Sequence, residues 1–166
     1  KPETSRMLAM PYAAVEGLFL GGISAYYEYR FPGLPLIAVA ATFVTTFGLL
    51  GLYKARIIQA TAKFKAVVIS ATIAIAILYV LQWVMVLAFG NSIPFLFENG
   101  IIGLGFAAFV AVIASLNLIL DFDLIERSNE MNAPKYMEWF CGIAMLATLV
   151  WMYVSFLRLL GIIRSE

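Results

Sequence analysis

Three carboxylates, Asp121, Asp123 and Glu138, are the residues of this sequence best suited to ion chemistry. Asp121 and Asp123 follow a long apolar run, and Glu138 lies near the start of the next one, after a short linker. The three side chains can therefore converge. Clustered carboxylates repel each other when ionised and titrate as a coupled set, so such a group can respond to pH or hold a hard cation through its oxygens.

A helix end in water would show the same residue types. Asp123 and Arg127 are four residues apart, the spacing of an ion pair on one helix face. We therefore interpret Asp123, Glu126 and Glu130 as solvated charges. Asp121 directly adjoins the apolar run, and it remains the ion-handling and pH-sensing candidate together with Glu138.

Glu16 is a further candidate because it lies about ten residues into the first apolar run. A charge at membrane depth costs roughly 2.5 to 3.5 kcal/mol even on lenient scales, so its side chain should face the protein interior, a partner or water. Two interpretations carry equal weight. Glu16 is either a neutral, hydrogen-bonded structural residue or a group that handles ions or protons.

The last apolar run carries polar and sulfur-containing residues at steps of three or four, which places them on one face of a helix. They are Glu138, Cys141, Met145, Thr148, Met152, Ser155 and Arg158. Two interpretations are open: hydrogen bonding between helices, or an ion path lined by Cys141, Thr148, Ser155 and Arg158. The other faces are apolar, which favours a central position for this helix in a bundle.

The composition identifies the class of protein that must position these residues. Of 166 residues, 63% are hydrophobic and 13% charged, against about 25% charged in soluble domains. The sequence is therefore that of a membrane protein. It has no histidine and one cysteine, which argues against a disulfide framework, a haem, a copper site or a catalytic zinc, and we expect neither a cofactor nor a resident metal.

Other functional classes are disfavoured as well. The formal net charge of +1 leaves no electrostatic footprint for nucleic acid. No nucleophile, base and orienting group occur together, so we expect no enzymatic activity.

Five apolar stretches are long enough to cross about 30 Å of hydrocarbon, for which about 20 residues suffice. They span residues 7–27, 35–53, 66–89, 100–120 and 136–163. They lack the alternation of barrel strands, and only helices satisfy backbone groups at that depth. The prediction is an all-α, polytopic membrane helix bundle that forms a single transmembrane domain over residues 1–166, with residues 121–135 as a linker.

The basic residues predict the orientation, because cytoplasmic segments are enriched in lysine and arginine. One side of the membrane collects eight of the eleven: Lys1, Arg6, Lys54, Arg56, Lys63, Lys65, Arg127 and Lys135. The other side has Arg30, Arg158 and Arg164. The N-terminus of the chain should therefore lie inside and the C-terminus outside.

Small residues recur every four positions in two of the runs. They are Ala13, Gly17, Gly21 and Ala25 in the first, and Gly103, Ala107, Ala111 and Ser115 in the fourth. Small residues at this spacing allow helix backbones to approach closely in a membrane. Both stripes are predicted to be helix contacts within the bundle.

Four stretches resemble the Bax inhibitor-1/YccA family, most closely its bacterial branch: GLFLGGISAYYE, FVTTFGLLGLYKA, LNLILDFDLIE and APKYMEWFCGIAMLATLVWMYVSFLRLLGI. The resemblance implies a seven-helix protein of the bacterial inner membrane, with the last helix central. This chain would supply helices three to seven, and its start at Lys1 rather than Met fits a protein that begins upstream. The resemblance also implies a pH-sensitive calcium leak or, for YccA-like members, modulation of a membrane protease.

The family's leak is attributed to two aspartates, and only one carries over. Asp121 matches the aspartate of the sixth helix, whereas the second position falls near Thr148, which cannot ionise. Glu138 could take that role, although it lies nearly three turns earlier. Two hypotheses result: a pH-tuned cation leak with Asp121 and Glu138 as sensor, or a non-transporting regulator of a membrane protease or accessory subunit of a larger membrane complex.

Overall fold

The computed structural model describes residues 2–94 and 96–166, and these residues form five α-helices without a strand. The helices are α1 (Pro2–Arg30), α2 (Leu34–Lys54), α3 (Ala62–Phe89), α4 (Ile101–Glu130) and α5 (Tyr136–Ser165). Each is long and apolar enough to cross a membrane. The predicted all-α membrane bundle is thus confirmed. Lys1, assigned above to the cytoplasmic side, lies outside the described residues.

The turns between the first helices follow from local chemistry. Gly33, between α1 and α2, has φ 80°, and Gly90, after α3, has φ 68°, a left-handed conformation that glycine adopts without steric cost. The side chain of Thr61 caps α3 by accepting a hydrogen bond from the backbone N–H of Phe64 at 3.2 Å. These stops set the lengths of the helices close to the predicted spans.

The predicted linker over residues 121–135 is wrong in its extent, because α4 continues through Asp121 to Glu130. Two features sustain the helix beyond the apolar run. Phe122 is buried against α5, and the Arg127 Nε atom pairs with the Asp123 Oδ2 atom at 2.9 Å, one turn along the same helix. The connection between α4 and α5 is therefore only residues 131–135.

Helices α4 and α5 form the most extensive helix pair and the centre of the bundle. Helix α5 contacts α1, α2 and α4, and α4 also contacts α2 and α3. Ala114, Leu118 and Phe122 of α4 pack on Met152 of α5. A second cluster joins α5 to α2 through Leu34, Ala38, Tyr153 and Leu157. The predicted central position of the last helix is accordingly shared with α4.

The two small-residue stripes differ in burial. Gly103, Ala107 and Ala111 of α4 are buried, as predicted. The stripe on α1 is exposed, and that part of the prediction is wrong: a Cβ atom at Gly17 or Gly21 would meet no heavy atom within 4 Å. The tight contact of α1 lies elsewhere, at Gly161 of α5, where a Cβ atom would come within 2.8 Å of the Tyr27 ring.

Candidate functional site

Asp121 lies on the face of α4 that is turned to α5. Its Oδ2 atom is buried and has no hydrogen-bond partner among the described residues. The Thr148 side chain on α5 is the polar group that interacts with this carboxyl, and the Thr148 hydroxyl also donates to the Ala144 carbonyl at 3.1 Å. An unsatisfied buried polar atom costs roughly 1 to 3 kcal/mol, and more when it is charged. The contact between Asp121 and α5 is therefore stable only when the Asp121 carboxyl is protonated or when a water molecule binds its Oδ2 atom.

The register of α4 against α5 separates Asp121 from Glu138. Ser128 faces Cys141 at 3.8 Å (Oγ to Sγ), so the residues that oppose Asp121 lie further along α5, near Thr148. Glu138 precedes Thr148 by ten residues, or about 15 Å along the helix axis. The predicted convergence of Asp121 and Glu138 is therefore wrong.

The length of α4 explains that separation, because α4 extends to Glu130 and carries the turn into α5 away from Asp121. Glu138 itself is exposed. No cluster of three or more acids or cysteines that could hold a metal occurs among the described residues.

Asp123 and Glu126, interpreted above as solvated charges, instead bind the end of α2, the start of α3 and the segment between them. Asp123 pairs with Lys65 at the start of α3 as well as with Arg127. Glu126 accepts hydrogen bonds from the Tyr53 hydroxyl and, at 3.5 Å, from the Arg56 guanidinium. We call these contacts the α2–α3 clamp. The sequence signal for it was the basic stretch 54–65 on the same predicted side of the membrane as the two acids.

The position of Asp123 on α4 explains its different partners. Two residues along a helix correspond to a rotation of about 200°, so Asp121 and Asp123 cannot face the same neighbour. Asp121 faces α5, and Asp123 faces the start of α3. The two aspartates thus belong to separate environments although they are almost adjacent in the sequence.

Glu16 also has a buried oxygen, Oε2, without a hydrogen-bond partner among the described residues. Its Oε1 atom accepts a hydrogen bond from the Tyr12 hydroxyl at 2.7 Å. Helix α1 runs parallel to α5, because Arg6 lies over the Trp139 ring near one end of the pair and Tyr27 lies against Gly161 near the other, so Glu16 lies at about the depth of Thr148. Among the described residues, α1 and α4 do not pack against each other, which places Glu16 and Asp121 on different sides of α5. Both interpretations of Glu16 remain open.

The polar stripe of α5 is turned mainly towards α4. Besides Cys141 and Thr148, Met152 faces this helix, with its Sδ atom 3.4 Å from the Ser115 hydroxyl. Met152 is fully buried, and the buried Ser155 hydroxyl donates to the Trp151 carbonyl at 2.7 Å on its own helix. The middle of the stripe is therefore closely packed.

Two cavities lie at the ends of this stripe. A cleft of about 660 Å³ separates the end of α4 from the start of α5, and Glu138 and Cys141 are among the residues that line it. A cavity of about 250 Å³ between α3, α4 and α5 is lined by Tyr79, Ala107, Val110, Trp151, Val154, Ser155 and Arg158. Thr148 lies seven residues from Cys141 and seven from Ser155, about 10 Å from each along the axis. Asp121 thus faces the closely packed part of α5 around Thr148, midway between the two cavities, and we call this part the closed segment.

Arg158 ends the stripe with contacts that the sequence did not predict. Its Nη1 atom donates to the Tyr79 hydroxyl at 3.2 Å, and its Nη2 atom donates to the Leu96 carbonyl at 3.0 Å. The guanidinium carbon lies 4.7 Å from the ring centroid of Phe97 and 5.6 Å from that of Phe106. These partners come from α3, from α4 and from the segment between them, which a helical periodicity cannot reveal.

Comparison with known proteins identifies the family of the chain. The family model described as Bax inhibitor 1 like matches residues 1–165, nearly the whole chain. The chain belongs to this family. Neither a curated protein nor a solved structure shows significant similarity to it.

Proposed function

We propose that this integral membrane protein is a pH-sensitive leak for cations, with calcium as the transported ion, and that Asp121 is its sensor. The observation that carries the proposal is the buried Oδ2 atom of Asp121, which has no hydrogen-bond partner in the described part of the chain. It faces the closed segment midway between two cavities on one face of α5. An ionisable group with few partners in a membrane protein is a functional candidate by default.

The closed segment supplies a physical mechanism. Leu118 and Met152 are fully buried beside Asp121 and leave no room for a hydrated ion. A protonated Asp121 is compatible with this dry contact. Loss of the proton places a charge there that needs water or a cation, which favours separation of α4 from α5. The leak should therefore rise with pH through the titration of Asp121. Glu138, in this proposal, does not share a proton with Asp121 and at most attracts cations to the cleft.

A second function is favoured by one observation. The residue that faces Asp121 is Thr148, which cannot ionise, so the site has one carboxyl where the family resemblance implies two. A protein of this kind could be a non-transporting regulator of a membrane protease or an accessory subunit of a larger membrane complex. In that case Asp121 would only stabilise the contact between α4 and α5.

Calcium flux into liposomes distinguishes the two functions. With the purified protein reconstituted and a calcium-sensitive dye inside, we expect calcium uptake that increases with pH, above the rate of protein-free liposomes. The two arms differ only in the protein, so a passive pH effect on the lipid is subtracted. Uptake equal to that of the protein-free liposomes at every pH would exclude the leak and favour the regulatory function.

We also propose that the protein resides in the bacterial inner membrane with its N-terminus inside and its C-terminus outside. The α2–α3 clamp, with both its basic and its acidic residues, would then lie in the cytoplasm, as the distribution of lysine and arginine predicts. A reporter fused after Glu166 should be active outside, and one inserted within residues 57–61 should be active in the cytoplasm. The reverse pattern would contradict the orientation.

A further inference from the structure

Arg158 is a cation in the bundle without an acidic partner. The ion pairs among the described residues join Arg56 to Glu126, and Lys65 and Arg127 to Asp123, and none includes Arg158. Its side chain is half-buried and lines the cavity of about 250 Å³. A charge in such a place is costly unless it is compensated. Two aromatic faces and two neutral acceptors compensate it only in part.

The hydrogen-bonding groups of this cavity are mostly donors. A guanidinium has five N–H groups, and the observed hydrogen bonds of Arg158 go to two acceptors. The Tyr79 oxygen accepts from Arg158, so its own hydrogen is free to donate. The Ser155 hydroxyl donates to a backbone carbonyl of its own helix and is not available to a ligand. None of the described residues that line the cavity is a carboxylate.

We infer that this cavity is a binding site for a small monovalent anion such as chloride, held by Arg158 and Tyr79. An anion would accept from both groups and neutralise the guanidinium, which a cation or a neutral apolar ligand cannot do. At about 30 Å³ for each water molecule, 250 Å³ accommodates a halide with part of its hydration shell. The position between three helices favours a free ion over a lipid headgroup.

The inference is independent of the proposed leak, since it concerns binding alone. One consequence does rest on the proposed function: a bound anion would cancel the positive charge that Arg158 presents to a cation on the path.

Iodide provides a direct probe, because it quenches tryptophan fluorescence on contact and Trp151 lines the cavity. The Trp83→Phe and Trp139→Phe substitutions leave Trp151 as the only fluorophore of this type. The purified double variant, in phosphatidylcholine nanodiscs, is titrated with iodide at constant ionic strength, with gluconate as the replacement anion. We expect a saturable quenching component, and added chloride should displace it.

Arg158→Gln should weaken the saturable component at least about tenfold, because it removes a charged hydrogen-bond donor. Arg164→Gln is the matched control: its guanidinium lies at the same end of α5 but is exposed and donates to the Pro32 carbonyl at 3.0 Å, so iodide binding should persist. Should the Gln variant not fold, as judged by circular dichroism, Arg158→Lys keeps the charge without the planar fork and should weaken binding by a smaller factor.

Three results would overturn the inference. The first is quenching that is purely linear in iodide concentration. The second is saturable quenching of equal midpoint in the Arg158 and Arg164 variants. The third is displacement of iodide by phosphatidylglycerol in the nanodisc but not by chloride, which would assign the site to a lipid headgroup.

Discussion

An Asp121→Asn variant should lose the pH dependence of calcium uptake, while Asp123→Asn should retain it. Asparagine has nearly the size of aspartate and keeps a hydrogen-bonding side chain, but it has no proton to lose in this pH range. The closed contact between α4 and α5 would then contain a permanently neutral group. Uptake by Asp121→Asn should stay at the low value that the native protein shows at acidic pH, at every pH measured.

The comparison with Asp123 provides an internal control. Asp123 lies two residues away on the same helix but pairs with Lys65 and Arg127, away from α5. Asp123→Asn should loosen the α2–α3 clamp and lower the melting temperature, since an ion pair of this partly buried kind contributes modestly to stability. The pH midpoint of uptake should stay unchanged. Equal effects of the two substitutions on the pH profile would mean that the acids act only through general charge, and the assignment of Asp121 as sensor would fail.

Much of the fold could be predicted because lipid imposes simple demands. Uninterrupted apolar runs of about 20 residues have to be helices, and Gly33, Thr61 and Gly90 mark where they end or begin. Mean polarity does not predict the extension of α4, because a polar segment can continue a helix. Residues 121–130 are polar on average, yet Phe122 is buried and Asp123 and Arg127 form an ion pair within the helix. The spacing of Asp123 and Arg127 and the apolar Phe122, rather than the mean polarity of the segment, indicate that the helix continues.

The sequence singles out candidate residues for the site, but it does not predict how they are arranged. Glu16 stands out because a charge is rare at its depth in the membrane, and Asp121 because it directly adjoins an apolar run. Which residues meet depends on the register of antiparallel helices, and that register is set by the length of α4 rather than by the linker. Thr148 therefore faces Asp121, and Glu138 does not. The cavity at Arg158 depends on Tyr79 from a third helix, a long-range contact that no local pattern encodes.

A Thr148→Asp variant should show the largest change in leak. Its carboxylate would lie opposite Asp121, in the contact between α4 and α5. When both groups are ionised about 4 Å apart, their repulsion is roughly 4 kcal/mol at an effective dielectric constant of 20. This corresponds to a shift of up to about a thousandfold towards the separated helices. When the two carboxyls share one proton, the same pair is a hydrogen bond that favours the closed contact.

The uptake of calcium by this variant should therefore exceed that of the native protein strongly at alkaline pH and approach it at acidic pH, with a broader titration because the two groups are coupled. Thr148→Asn introduces a side chain of the same size without charge, and it should leave the native pH profile in place. Adding Asp121→Asn to Thr148→Asp removes the partner and should restore a single, weaker titration. If a folded Thr148→Asp protein shows the native profile, the contact between Asp121 and residue 148 does not control the path, and the regulatory function becomes the better account of the site.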